Sequence, residues 1–274
     1  MKNFAFGQFY PTDSLMHRLD PRTKVILAVL YIVCTFLCNN LAGFLALVAS
    51  AVLIILISRI PISLVLRSLR PILFIIAFTS LINIFATKGE QLLTPAHWWI
   101  KIYAEGLWKA LFMILRISVL IIGTSIFLTY TTTPIALTDA LEQLLSPLKK
   151  IKVPVHDFAM MMTIALRFIP TLTEETEKIM NAQKARGANF TDGSLLQRAK
   201  ALIPILVPLF VSAFNRAFEL ASAMECRCYH GGEGRTRLNV LHYRAVDYVS
   251  MILVVVFGVG LFFLNRYGFG YTMG

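Results

Sequence analysis

The chain has 274 residues, of which 57% are apolar and 15% charged. Soluble domains run nearer about 45–50% apolar and about 25% charged, and a globule of this length still needs a polar skin, so the excess belongs in a bilayer. The net charge of +11 (26 Lys plus Arg against 15 Asp plus Glu) comes without an aromatic-interleaved basic patch, which excludes a nucleic-acid reading and favours cytoplasmic loops beside anionic lipid.

Residues Met1 to Asp20 are mixed polar, so no cleavable signal peptide is expected. Asp20 can cap a first helix, Pro21 suits its first position, and Arg22 and Lys24 would hold its end at the cytoplasmic interface. An apolar run follows from about Val25 to Cys38, and a second from about Leu41 to Ser58. Both approach the roughly 20 residues a spanning helix needs, so Asn39-Asn40 reads as the turn of a helical hairpin. Cys34 and Cys38, one helical turn apart, read as small core residues.

A third run, Pro71 to Ala86, follows a basic segment containing Arg59, Arg67 and Arg70. A fourth, about Leu107 to Tyr130, follows Trp98, Trp99, Tyr103 and Trp108, aromatics suited to the headgroup level. Inside it, Arg116 either faces protein or a wet cavity, or snorkels to the outer interface. A final run covers about Val246 to Leu264.

The basic residues set the topology. Residues 1–24 hold four Lys or Arg, 59–70 hold three and 131–245 hold fourteen, whereas 87–106 holds only Lys88 and Lys101. A cytoplasmic N-terminus places every rich segment inside and, after five spans, the C-terminus outside. Between the fourth and fifth spans, Phe158–Ile169 and Ala201–Phe214 are short of a bilayer and are expected as amphipathic helices against the cytoplasmic face or partner subunits, with spanning as the rival reading. Pro204 and Pro208 are expected to bend or start the second of them. The expected fold is an all-α integral membrane protein with about five transmembrane helices plus a cytoplasmic coupling domain of long amphipathic helices. Its expected divisions are residues 1–130, 131–245 and 246–274.

No catalytic residue is identified, and no cofactor. The sequence lacks the G-x-x-x-x-G-K-[ST] loop that cradles ATP phosphates, the HExxH helix and the paired CxxC of zinc sites. Cys226, Cys228 and His230 supply three metal ligands in one loop without a fourth, so ordinary reduced thiols are expected and no metal. Gly231-Gly232-x-Gly234 reads as a flexible connection. The sequon Asn189-Phe190-Thr191 faces the cytoplasm on this topology.

One helix ending occurs twice. A first long helical pattern finishes in Ala182-Gln183-Lys184-Ala185-Arg186-Gly187, a second in Ala223-Met224-Glu225-Cys226-Arg227-Cys228. Each arginine follows an alanine by four positions and sits between small residues. Small neighbours admit a partner's backbone, and the guanidinium fork pairs with carboxylates and carbonyls. A terminal arginine also opposes the helix dipole, so capping its own helix is the plainer reading of a single instance. Two instances favour docking.

These residues carry a resemblance that extends over the whole chain. Ser14-Leu15-Met16-His17-Arg18-Leu19-Asp20-Pro21-Arg22-Thr23-Lys24, Ala185-Arg186-Gly187 and Cys226-Arg227-Cys228, in this order among these membrane runs, resemble the signatures of the energy-coupling factor transmembrane proteins, related to cobalt and biotin transport subunits. The second arginine motif departs from the family form in its flanking cysteines, which puts the tightness of that turn in question. The resemblance implies two ABC ATPase subunits whose grooves receive Ala185, Arg186, Gly187, Cys226, Arg227 and Cys228. It also implies a membrane-embedded substrate-binding S component, for vitamin or metal-ion uptake across a prokaryotic plasma membrane. Met160, Met161 and Met162 offer a soft surface to that S component, or form ordinary interhelical core. A self-sufficient secondary transporter would need acidic groups in the spans and inverted repeats, and an intramembrane enzyme a cluster of His, Asp or Glu at membrane depth. Neither pattern is in the sequence.

Overall fold

The structure, a computed structural model, describes residues 9–87, 103–188, 190, 194–231 and 240–267. Trp98, Trp99, Lys2, Lys88, Lys101, Asn189, Thr191, Gly232 and Gly234 lie outside the described residues. Among the described residues the regular structure is helical throughout, and the chain divides into two units, residues 1–140 with 240–274, and residues 141–239.

The first unit begins with a short helix α1 (Leu15–Arg18), capped by the Ser14 side chain. Helix α2 (Pro21–Leu37) starts as the sequence dictates: Pro21 occupies the first turn, and the Asp20 carboxylate accepts the Arg22 backbone N–H at 2.9 Å. Three residues separate α2 from α3 (Leu41–Ser58), the short connection expected at Asn39-Asn40; the two helices do not pair closely as a hairpin, because the helices at Ala104–Thr124 and Ala245–Arg266 pack against both. Helix α3 ends at Arg59, whose φ of 53° turns the chain sharply. The next helical stretch starts earlier than the sequence suggested. Helix α4 (Ile62–Leu69) runs through a 3-10 turn at Arg70–Ile72 into α5 (Leu73–Ala86), so Arg67 and Arg70 stand on the helical stretch, not in a loop before it. The tight turn accommodates Pro71 at a point where a missing N–H does not end the helix.

Helix α6 (Ala104–Thr124) continues as a π-helical turn over Ser125–Tyr130, and α7 (Pro134–Leu144) follows. The unit closes with α10 (Ala245–Arg266). Its core is aromatic and aliphatic: Phe44 stacks on Phe112 at 4.9 Å between centroids, and Tyr31 meets Phe127 edge-on at 6.0 Å. Cys34 and Cys38 are buried in this core as free thiols. Gly123 of α6 lies where a Cβ would overlap the Tyr31 ring, so the close approach of α2 to α6 requires a glycine there.

The second unit holds the two longest helices, α8 (Val155–Ala185) and α9 (Leu195–Cys226). Helix α9 begins with a reciprocal cap between Ser194 and Gln197. Pro204 and Pro208 lie inside α9 and Pro170 inside α8 without ending either helix. This removes the starting one of the two roles, bending or starting the second helix, expected of Pro204 and Pro208. Each removes one i→i−4 bond, which a helix of 31 or 32 residues tolerates by continuing on both sides.

Among the described residues, five stretches are long and apolar enough to cross a bilayer: Leu41–Ser58, Ile62–Ala86, Ala104–Tyr130, Leu196–Cys226 and Ala245–Arg266. Two points differ from the sequence reading. Helix α2, with 17 residues, falls just short of that length, and α9 reaches it because its prolines do not divide it. The chain is a multi-pass helical membrane protein.

Candidate partner-docking site

Both arginines of the repeated ending occupy the same position. Arg186 is the C-cap of α8 and Arg227 the C-cap of α9. After Arg186 the chain turns through Gly187 at φ 88°, with the Gly187 N–H on the Lys184 carbonyl (3.0 Å) and the Ala188 N–H on the Gln183 carbonyl (3.0 Å). After Arg227 it turns through Cys228 at φ 55°, with the Cys228 N–H on the Glu225 carbonyl (2.9 Å) and the Tyr229 N–H on the Met224 carbonyl (3.1 Å). These are two copies of one Schellman motif. The cysteine at the left-handed position therefore makes the same tight turn as the glycine, at the backbone cost an L-residue carries there. Ala185, Arg186, Gly187, Cys226, Arg227 and Cys228 are all exposed.

The N–H groups of the turn satisfy two carbonyls near the end of each helix, Gln183 and Lys184 in one and Met224 and Glu225 in the other. The arginine side chains are left projecting from exposed tips, available to a carboxylate or a row of carbonyls. Of the methionines, Met161 and Met162 are 53% exposed and Met160 is half-buried. No group of three or more His, Cys, Asp or Glu among the described residues is arranged to hold a metal, and His230 Nδ1 instead lies 2.7 Å from the Cys228 carbonyl.

Helices α8 and α9 are joined by a polar contact that the sequence did not disclose. Glu175 Oε1 accepts the Ser212 hydroxyl at 2.5 Å and Oε2 accepts Arg216 Nη2 at 2.9 Å. The Ser212 hydroxyl, and then the Arg216 guanidinium, hold the Glu175 carboxyl below the usual carboxylate range.

In the first unit the N-terminal motif is also more than an interface anchor. Arg22 turns back on Asp20, with Nε on Oδ1 at 3.1 Å and Nη2 on Oδ2 at 3.0 Å, and its guanidinium lies 4.0 Å from the centre of the Tyr243 ring. Lys24 is 3% exposed, and its Nζ donates to the Thr131 carbonyl at 2.6 Å, so its ammonium is turned into the protein. Asp247, fully buried at the start of α10, accepts the backbone N–H groups of Asp20 (2.8 Å) and Arg244 (2.7 Å). Arg116 reaches the turn between α2 and α3: its Nη2 donates to the Cys38 carbonyl (2.7 Å) and to Asn39 Oδ1 (3.1 Å), where it closes the end of α2.

Among the described residues, five lipid-length apolar stretches make this a multi-pass membrane protein, and its two longest helices end in exposed arginines. Residues 12–238 match the family described as cobalt transport protein. The chain is 51% identical over 257 residues to the energy-coupling factor transporter transmembrane protein EcfT of Ruminiclostridium cellulolyticum, covering 94% of this chain and 95% of the relative. It is 51% identical over 263 residues to EcfT of Brevibacillus brevis (94% and 98% covered), and 47% identical over 265 residues to EcfT of Bacillus subtilis (97% and 99% covered). The chain belongs to this family of energy-coupling factor transmembrane proteins.

Proposed function

We propose that the chain is the coupling subunit through which two ABC ATPase subunits act on a membrane-embedded S component, for uptake of a vitamin or a metal ion. The carrying observation is the pair of exposed arginine C-caps, Arg186 and Arg227, built on the same backbone turn at the ends of the two longest helices. Each guanidinium fits a groove lined by carboxylate or carbonyl oxygens, one in each ATPase, while the chain itself hydrolyses nothing. The domain spanning residues 131–245 and the N-terminus lie in the prokaryotic cytoplasm, where the ATPases are, and the C-terminus lies outside. On this reading the 17-residue α2 spans although it is slightly shorter than the others, and α9, although long enough to span, lies with α8 along the cytoplasmic face, with Met160, Met161 and Met162 turned to the S component as an adaptable apolar surface.

The test is the double variant Arg186→Glu/Arg227→Glu, purified in mild detergent with co-expressed ATPases. Membrane insertion should persist, and the ATPases should be lost from the purified chain together with uptake. Retention of both ATPases at normal yield and activity sinks the docking role. The same pull-down separates a self-sufficient secondary transporter, which would purify and work without ATPases.

A further inference from the structure

We propose that the elbow between α7 and α8 is a docking surface for anionic phospholipid, with Leu148 and Ile151 entering the boundary between headgroups and acyl chains while Lys149, Lys150 and Lys152 hold the phosphates around them. The proposal goes beyond the coupling role and does not depend on it, since it needs a charged bilayer and no protein partner.

Three observations carry it. The first is how the side chains are arrayed. After α7 the chain runs through a 3-10 helix over Ser146–Ile151, and α8 starts at Val155. A 3-10 helix repeats every three residues, so side chains three apart stand over one another. Leu148 and Ile151 therefore form one column, Ser146 and Lys149 the next, and Pro147 and Lys150 the third. The apolar column has a lysine on either side of it. Ile151, at its end, is 77% exposed, and the exposed Leu141 and Leu145 continue the apolar run back to the last turn of α7. Apolar side chains framed by lysines suit a membrane interface, where the apolar bodies go down and the ammonium groups snorkel up to the phosphates.

The second is charge. Lys149, Lys150 and Lys152 fall within four positions, and the sequence holds no carboxylate between Glu142 and Asp157. Glu142 is buried, with Oε1 2.9 Å from His156 Nδ1, and Asp157 sits in the first turn of α8, where the helix dipole favours a negative charge. Among the described residues no carboxylate forms a salt bridge with any of the three lysines. An anionic headgroup layer complements such a patch, and a neutral one does not.

The third is that the elbow's shape is held from within. Lys152 takes a φ of 61°, with its N–H on the Lys149 carbonyl at 3.0 Å and the Val153 N–H on the Leu148 carbonyl at 3.4 Å. A charged residue thus occupies a left-handed position that glycine would take at less cost. Beneath it, the contact between Glu142 and His156 ties the end of α7 to the start of α8. The chain also keeps the elbow near the bilayer: α7 begins at Pro134, just after the membrane-length stretch Ala104–Tyr130, and its 11 residues are roughly 16 Å long.

The experiment reconstitutes the full chain in nanodiscs with a nitroxide at Ile151→Cys, its own cysteines replaced. The label's depth is read from its collisions with oxygen, which enters the acyl layer, and with a nickel chelate, which stays in water. Discs of phosphatidylcholine are compared with discs that also contain phosphatidylglycerol. In the anionic discs the label should favour oxygen, in the neutral discs the chelate, and high salt should bring the first toward the second. Each lysine adds roughly fivefold to the attraction of an anionic surface, so each single Lys→Gln change should lower the immersed-to-aqueous ratio by about that factor. Lys149→Gln/Lys150→Gln/Lys152→Gln should return the label to water, and Lys149→Arg/Lys150→Arg/Lys152→Arg should keep it immersed. A label that stays in water in the anionic discs overturns the proposal. Equal immersion in neutral lipid or in the glutamine variant overturns it too, and identifies an apolar face made for a protein instead. Loss of immersion in the arginine variant overturns it because charge is then not what is read. Should the triple glutamine variant fail to assemble, the single changes carry the test, and three unchanged ratios sink the proposal.

Discussion

The backbone N–H of Asp20 donates to Asp247 Oδ1 at 2.8 Å, so the first residue before α2 is fastened to the first turn of α10 across 227 positions of sequence. The same carboxylate holds the Arg244 N–H, and it is fully buried. One side chain thus closes the starts of two helices that would otherwise each present an orphan donor.

Asp247→Ala is expected to orphan both donors, each at a cost of roughly 1–3 kcal/mol. Asn, with one carbonyl oxygen, should recover about half of that loss. Thermal unfolding of the purified chain in detergent reads both, with the order wild type, Asn, Ala. Equal melting of wild type and Ala removes the role.

Gly123→Ala should be destabilising by about 1–3 kcal/mol, the usual range for overpacking, because its Cβ would overlap the Tyr31 ring. The ring is 2% exposed and has no free space to retreat into. Combining Gly123→Ala with Tyr31→Leu should cost less than the sum of the two single changes, read from the same melting experiment.

At the two tips the prediction runs in opposite directions. Cys228→Gly should stabilise its turn by about 1 kcal/mol, since an L-residue pays for the left-handed region and glycine does not. Gly187→Ala should cost a similar amount, and purely through the backbone, because a Cβ there meets nothing within 4 Å. Amide exchange at Tyr229 and Ala188, whose N–H groups close the two turns, should slow in the first variant and quicken in the second.

His17 supplies a pH dependence. Its Nε2 lies 2.9 Å from the Tyr10 carbonyl, which only accepts, so Nε2 carries the proton and Nδ1 accepts the Ser14 hydroxyl at 2.7 Å. Burial, helped by the charge of Lys24, lowers its pKa from 6.5. The folded chain therefore binds this proton less readily than the unfolded chain. The stabilising contribution is complete above 6.5 and is lost as pH falls through the lower folded value. Melting temperatures of wild type and His17→Gln should converge as the pH drops below that window. Parallel curves from pH 8 to 5 count against it.

Much of this was legible in the sequence, for a physical reason. Asp20-Pro21 declares a helix start, long apolar runs declare membrane, and Arg186 and Arg227 could be found because a repeated local pattern needs no partner to be seen. The hidden residues are those whose partners are distant. Asn40 looked like one half of a turn, yet its side-chain amide donates to the carbonyls of Leu264 (3.1 Å) and Asn265 (3.3 Å) at the end of α10. Glu175 stands among Glu174 and Glu177 on an acidic turn, and nothing local says which of them meets Arg216. Lys24 showed its charge locally but not its partner, because the carbonyl of Thr131 that receives it is 107 residues away. Pro204 and Pro208 were expected to bend or start a helix, and the starting role fails because proline's local cost is weighed against the continuity of a helix that extends well past it on both sides.

The four thiols fall into two populations. Cys34 and Cys38 are sealed in the core, while Cys226 and Cys228 flank Arg227 in the open. A membrane-impermeant maleimide should thus reach only the α9 tip of the unmodified chain, and whatever covers that tip should shield it. The native protein consequently carries its own footprinting reporter, able to register sidedness and occupancy without a single engineered residue.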